Sequence, residues 1–91
     1  MAKKSYLIGY DLNKPAQDYP DLIAAIKKIG LWWHHLDSTW IVKSDLTAEQ
    51  ICQALLIHID DNDEILVAEL RGDVIWHGFN EKGSNWLKNN L

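Results

Sequence analysis

The chain has 91 residues, 47% of them hydrophobic, and a formal net charge of −4. This length fits one domain, residues 1–91. The core of so small a domain is limited, and association with a second subunit commonly adds to its stability. The composition excludes a disordered chain, no apolar run approaches the ~20 residues of a membrane span, and the acidic balance counts against broad binding to nucleic-acid phosphates. Cys52 is the only cysteine and no signal peptide is recognised after Met1, so we expect a cytoplasmic protein without an intrachain disulfide.

The first third of the chain predicts a strand followed by a helix. Residues 5–12 are rich in Ile, Leu and Tyr, as in a buried strand, and a loop over residues 13–19 follows. A helix over about residues 20–29 is predicted by one apolar stripe: Leu22, Ile26 and Ile29. Gly30 comes directly after this helix and is expected to end it.

The middle of the chain predicts a hairpin and a second helix. Strand-like runs over residues 31–36 and 39–43 are separated by the short turn Asp37-Ser38. Thr47 and Gln50 have the spacing of a capping box, which predicts that a helix begins here. The buried stripe of that helix is expected to be Ile51, Leu55 and Ile59.

The last third predicts two further strands and a terminal helix. Residues 64–70 are apolar on both faces, which is typical of a central strand. Residues 74–79 predict a fifth strand after the turn Arg71-Gly72-Asp73, and Ser84 is expected to cap a short helix. The order β-α-β-β-α-β predicts an α+β protein of the ferredoxin-like type, an antiparallel sheet with two helices on one face, plus this C-terminal strand and tail.

Asp11 stands at the end of the first predicted strand, in the segment Tyr6-Leu7-Ile8-Gly9-Tyr10-Asp11-Leu12-Asn13. A carboxylate held at the rim of a sheet suits a metal ligand or a general base, because the scaffold fixes its geometry. The alternative is that Asp11 only opens a loop, since Asp and Asn favour such positions through local hydrogen bonds to the backbone.

Segments of the chain resemble two protein families. The first strand resembles the opening strand of the small CRISPR adaptation subunit, a ferredoxin-like nuclease family, and Ser38-Thr39-Trp40-Ile41 is loosely similar to an element of that family's hairpin. The segments Gly-Tyr-Asp-Leu-Asn, Trp-Trp-His-His-Leu-Asp-Ser-Thr-Trp and Gly-Phe-Asn-Glu-Lys-Gly are similar to those of small bacterial proteins labelled SinR-like. The second resemblance covers most of the chain and implies almost no activity.

The first resemblance implies a homodimer in which Asp11 and its symmetry mate hold Mg²⁺, a hard cation suited to carboxylates and water. A water activated by the cation would attack a phosphodiester, with Asp11 as the catalytic residue and Tyr10 and Ser38 positioning the substrate. One hypothesis is therefore a homodimeric, nucleic-acid-associated protein that, if active, is a metal-dependent endonuclease. The alternative is a non-catalytic dimeric binding module for a protein or small ligand, related to defence or mobile-element systems. In both, residues 74–91 are expected to pack on or exchange with the partner and extend its sheet.

The histidines, the cysteine and the tryptophans each have two interpretations. His34 and His35 are adjacent in a strand and point to opposite faces, so they cannot both serve one site, but either could join His58 or His77 at a transition metal. Otherwise one of the pair is packed and the other is exposed to solvent. Cys52 is either a small buried hydrophobe or a nucleophile. The five tryptophans either form a platform for stacking bases or fill the core and a dimer interface: Trp32, Trp33, Trp40, Trp76 and Trp86.

Overall fold

The computed structural model describes residues 3–14 and 19–91, so most of the predicted 13–19 loop, Pro15 included, lies outside the described residues. Four strands and three helices form within those ranges. In chain order they are β1 (Lys4–Asp11), α1 (Pro20–Ile29), β2 (Leu31–Leu36), β3 (Thr39–Ser44), α2 (Ala48–Leu56), β4 (Glu64–Glu69) and α3 (Glu81–Asn90).

The strands form one antiparallel sheet in the order β2-β3-β1-β4. Strand β1 lies in the middle and pairs with β3 on one side and β4 on the other. The α+β prediction with an antiparallel sheet is confirmed. The prediction of a central strand over residues 64–70 is wrong, because β4 lies at the sheet edge. Ile65 and Val67 pack against the main core, whereas on the opposite face Leu66 is exposed and Leu70 packs against a smaller cluster.

Helix α1 has the predicted bounds and buries Leu22 and Ile26. Glycine follows this helix because there is no room for a side chain at position 30. A side chain at Gly30 would overlap the backbone carbonyl oxygen of Lys43, because the chain enters β2 directly against β3.

Helix α2 confirms the predicted capping box. Gln50 N–H donates to Thr47 Oγ1 at 3.1 Å, and Thr47 N–H donates to Gln50 Oε1 at 2.9 Å. The helix ends at Leu56, so Ile59 lies beyond it, although Ile59 still packs against the same core as Ile51.

The main core lies between α1, α2 and one side of the sheet, here called the first face. Its buried residues are Tyr6, Ile8, Tyr10, Tyr19, Leu22, Ile26, Trp40, Val42, Ile51 and Leu55. Their polar atoms are satisfied: Tyr6 OH donates to Leu46 O at 2.7 Å, and the Trp40 indole N–H donates to Tyr10 OH at 3.0 Å. Among the described residues, every buried side-chain nitrogen or oxygen therefore has a hydrogen-bond partner.

The opposite side of the sheet, here called the second face, carries a smaller cluster. Trp33, Ile41 and Leu87 are its buried residues, and Leu70, Trp76, Phe79 and Trp86 pack against them. The prediction of a fifth strand over residues 74–79 is wrong, since these residues pair with no strand. Gly72 before the segment and Gly78 within it take positive φ angles of 79° and 89°, and the aromatic side chains Trp76 and Phe79 pack against the cluster.

Helix α3 begins at Asn80, whose side chain accepts from Gly83 N–H at 2.8 Å. The prediction that Ser84 caps this helix is wrong, because the Ser84 hydroxyl instead accepts from the Trp76 indole N–H at 3.1 Å. The C-terminal helix packs on the sheet of its own chain, where Ser5 Oγ donates to Asn90 O at 3.1 Å.

Candidate functional site

Asp11 is the last residue of β1, and its backbone pairs with Glu64 of β4. Its side chain is exposed, and among the described residues its carboxylate takes part in no hydrogen bond or ion pair. The local backbone bonds expected of a loop-opening aspartate are made by another residue, Asp63. Asp11 therefore ends a strand of the sheet, and its carboxylate is exposed at the sheet rim.

The structure brings the three predicted site residues together. Tyr10, Asp11 and Ser38 line one surface depression of about 240 Å³, with Leu12, Lys14 and Asp37 completing its wall. The pairing of β1 with the turn after β2 explains this, because Tyr10 N–H donates to Ser38 O at 3.1 Å. The Tyr10 ring itself points into the main core, where its hydroxyl accepts from Trp40.

Asp37 is the carboxylate that the sequence interpretation missed at this depression. It was assigned only to the hairpin turn. The signal that could have found it was positional: in a β-α-β-β unit, the β2–β3 turn and the end of β1 lie at the same end of the sheet.

Asp63 joins the loop after β1 to the loop before β4. Its Oδ1 accepts from Asn13 N–H at 2.7 Å and from Tyr19 OH at 3.1 Å, and its Oδ2 accepts from Asp60 N–H at 2.8 Å. The bond from the Asn13 backbone holds the pKa of the Asp63 carboxyl below its ordinary value. Burial, reinforced by the bond to Asp63, raises the pKa of the Tyr19 phenol. These bonds make Asp63 the structural aspartate of this end of the sheet.

Negative charge is concentrated at one end of the strands. The strand register puts Lys4, Lys43 and Glu69 at one end, and Asp11 and Glu64 at the other, where Lys14 also lines the depression. The second end, here called the Asp11 end, collects the carboxylates of Asp11, Asp37, Asp60, Asp61, Asp63 and Glu64. The only ion pair found in the described part of the chain is Arg71–Glu69, at the opposite end. The Asp11 end therefore presents its negative charge to solvent.

Beside these carboxylates, a row of four residues crosses the second face outside the part that α3 covers. It follows from the register, in which Leu36 pairs with Thr39, Thr39 with Gly9, and Gly9 with Leu66. This open row consists of Leu36, Thr39, Gly9 and Leu66. Leu36 is 45% exposed and Leu66 58%, and the neighbouring Ile75 is 96% exposed. A cavity of about 230 Å³ continues from Leu36 and Thr39 toward Trp33 and Phe79. The two leucines at the ends of the row are thus exposed to solvent, whereas Gly9 and Thr39 between them are half-buried.

The histidine pair is divided between the faces, as predicted. The His34 ring stacks on Trp40 with centroids 3.8 Å apart, whereas His35 lies 5.0 Å from Trp33 and 6.1 Å from Phe79. Across residues 3–14 and 19–91 no three His, Cys, Asp or Glu side chains come close enough to hold a metal together. Cys52 is half-buried on α2.

The tryptophans mainly fill the two clusters. Trp33 and Trp40 are buried, and Trp76 and Trp86 pack into the second-face cluster. Trp32 is 42% exposed, with the Lys27 ammonium 5.0 Å from its ring centre. Since the rings pack against one another and against α3, they do not form an open stacking platform on the sheet.

No protein-family model, curated protein or solved structure matches this chain significantly. The two resemblances noted from short segments stay hypotheses. Within the described residues no helix is both long and apolar enough to cross a membrane.

Proposed function

We propose that the chain is a non-catalytic, homodimeric binding module that holds a protein partner on its second face. The observation that carries this proposal is the open row, where apolar side chains remain in solvent although a helix of the same chain covers the neighbouring part of the face. Exposed apolar patches bordered by polar residues are typical of interaction sites. The depression at Asp11 borders the row and adds the polar contacts that give a binding site its specificity.

The proposal includes a ferredoxin-like arrangement and a cytoplasmic location. The strand order β2-β3-β1-β4, with β1 between β3 and β4, supports the arrangement, as does the packing of α1 and α2 in one core. A link to defence or mobile-element systems rests on the segment resemblances alone.

The homodimer is supported by the free edge of β4. Leu70 N–H donates to Ser5 O at 2.8 Å, so by alternation the N–H and C=O groups of Ile65, Val67 and Glu69 point away from β1. Among the described residues no backbone group bonds to that outer edge. An unpaired, apolar edge strand is a template for pairing with another chain. Analytical ultracentrifugation at micromolar concentration tests this part, and a strict monomer would contradict it.

The binding proposal is tested by selection from a random peptide library displayed on phage. Wild-type protein is the target of the selection. Peptides that also bind Gly9→Ile, in which the isoleucine fills the open row, are discarded because they bind elsewhere on the protein. We expect surviving peptides to shift the ¹⁵N–¹H signals of Thr39 and Leu66 and to leave those of α2 unchanged. If no surviving peptide maps to the second face, the binding-module proposal fails.

A second candidate function is supported by the depression that Tyr10, Asp11 and Ser38 line together. Asp11 and Asp37 supply the carboxylate oxygens that Mg²⁺ prefers, and a partner's Asp11 would add another. When bound, the cation would lower the pKa of a water and so supply the nucleophile for phosphodiester cleavage. In that reaction Asp11 would hold the cation, and Ser38 would hold the substrate with its hydroxyl.

Cleavage of labelled RNA and DNA with and without Mg²⁺ tests this second function. Asp11→Asn should abolish cleavage and remove any rise in melting temperature with Mg²⁺. The matched control is Asp61→Asn, which removes an equal charge from the same end outside the depression. Equal cleavage by wild type and Asp11→Asn, or none at all, would exclude Asp11 catalysis.

A further inference from the structure

We infer that the partner segment is a basic amphipathic α-helix that lies beside α3, over Gly9. The inference rests on the proposed binding function and names the class of partner. Three independent features of the second face carry it: its width, the glycine in its floor, and the charge at its end.

The width of the second face along its strands leaves room for one more helix. β2, β3 and β4 have six residues each, which at about 3.3 Å per residue makes roughly 20 Å, and a helix with its side chains is about 10 Å across, so two helices that run across the strands fit side by side. The first face is covered by two helices, α1 and α2, whereas α3 is the only helix among the described residues that packs on the second. The uncovered strip crosses the strands from Leu36 to Leu66, which is three strand spacings or about 14 Å, a distance that a helix spans in two to three turns.

Gly9 has no role in the fold of its own chain that requires glycine. It lies in regular pairing with Thr39 and Leu66, its φ is not positive, and an added Cβ would meet only Leu7 Cδ2, at an ordinary 3.6 Å. Glycine weakens a strand interior and is found there where another backbone approaches closely. A helix seated over Gly9 supplies that approach, because small residues let a helix axis come near a packing surface.

The charge at the end of the open row selects a basic partner. Asp11 and Glu64 border the row on β1 and β4, and Asp37 follows Leu36 on the hairpin. None of the three forms an ion pair within residues 3–14 and 19–91. A helix with Leu or Ile along one face and Lys or Arg in the turn over these carboxylates satisfies both the apolar row and the charge. The same carboxylates disfavour a nucleic acid on this face.

The test uses two synthetic peptides of about 18 residues, five helical turns long. Both carry Leu at the same i, i+3, i+4, i+7 positions, and one has Lys where the other has Glu. We expect the Lys peptide to bind wild type, measured by isothermal titration calorimetry, and to shift the signals of Thr39, Leu66 and Leu36 in ¹⁵N–¹H spectra. Binding should weaken as salt is raised, because the charge contribution is screened.

Four variants decide the geometry. Gly9→Ile should weaken binding of the Lys peptide by about tenfold or more, the scale of a central contact in an interface. Asp11→Asn with Asp37→Asn should weaken it and flatten its salt dependence. The controls are Ala54→Leu, which adds bulk to the exposed side of α2, and Asp61→Asn, which removes a charge outside the row; both should bind as wild type does.

The results separate this inference from the proposed function. Equal affinity of wild type and Gly9→Ile, or of the Lys and Glu peptides, overturns the basic helix. If library peptides map to the second face but are extended or acidic, the helix is wrong while the binding module stands. If Gly9→Ile converts a wild-type dimer to a monomer, the occupant is a second copy and the inference fails. Should Gly9→Ile not fold, Leu66→Ser, at an exposed position, replaces it with the same expected loss.

Discussion

Two glycines of this sheet predict opposite responses to alanine. At Gly30 a Cβ would overlap the carbonyl oxygen of Lys43. That carbonyl cannot easily move, because Lys43 pairs with Ser5 on one side and Leu31 on the other. At Gly9 the same Cβ would have an ordinary contact with one leucine methyl and nothing else within 4 Å.

The magnitudes follow from these contacts. Overpacking of a closely packed site costs about 1–3 kcal/mol, and 1 kcal/mol shifts Tm by about 4–8 °C in a domain of this size. Gly30→Ala should therefore melt roughly 4–24 °C below wild type. Gly9→Ala removes the entropic cost of a strand glycine, about 0.5–1 kcal/mol, and should melt roughly 2–8 °C above it. A whole domain of this size is stable by only about 5–14 kcal/mol, so the first change is severe.

Differential scanning calorimetry of the three proteins measures both effects under one condition. Urea titration at 25 °C then checks that the slope of unfolding free energy against urea is unchanged, so that the shifts report stability and not a more compact unfolded chain. If Gly30→Ala melted at the same temperature as wild type, the close approach of Gly30 to the Lys43 carbonyl would be refuted. If Gly9→Ala melted lower, the space above Gly9 would not be empty.

Three further changes test the other structural roles. Thr47→Ala should lower the unfolding free energy by about 1 kcal/mol in urea titration, because Gln50 loses its cap, and a change within error of zero would refute the cap. Asp63 has a depressed pKa, so its stabilisation is full above the ordinary aspartate value near ~3.9 and is lost as pH falls through its lowered value. Wild type should lose more stability than Asp63→Asn between about pH 5 and pH 2 in thermal melts; parallel curves would refute the bond from Asn13. Leu87→Ala should cost about 2–5 kcal/mol and release tryptophan fluorescence toward that of exposed indole, and an unchanged spectrum would contradict its burial beside Trp33.

Local sequence signals predicted the elements whose cause is local. Helix α1 was predicted within its observed bounds, because its apolar stripe and the following Gly30 act within one segment. The capping box of α2 was predicted for the same reason, since both partners lie three residues apart. The depression at Asp11 was partly predicted, because an aspartate at a strand end is visible in the chain.

The errors concern features that depend on the whole sheet. An apolar run on both faces of residues 64–70 suggested a central strand, but the strand order leaves β4 at the edge. Residues 74–79 suggested a strand, yet Trp76 and Phe79 pack against the cluster of Trp33 and Ile41 instead. The role of Asp63 could not be predicted locally, since two of its three partners, Asn13 and Tyr19, lie 50 and 44 residues away and only Asp60 is near in the chain.

The two clusters on either side of the sheet differ in size. In the described part of the chain ten buried residues hold the first face, against three on the second. The free energy for opening a segment follows the apolar contacts that it breaks, so α3 belongs to a less protected unit than α1 and α2. Its backbone amides should exchange with deuterium through partial opening, while those of β1 exchange only on global unfolding. Each such opening exposes Trp33 and Ile41. The area of the second face that is accessible to a partner therefore depends on the equilibrium between the closed and open positions of α3.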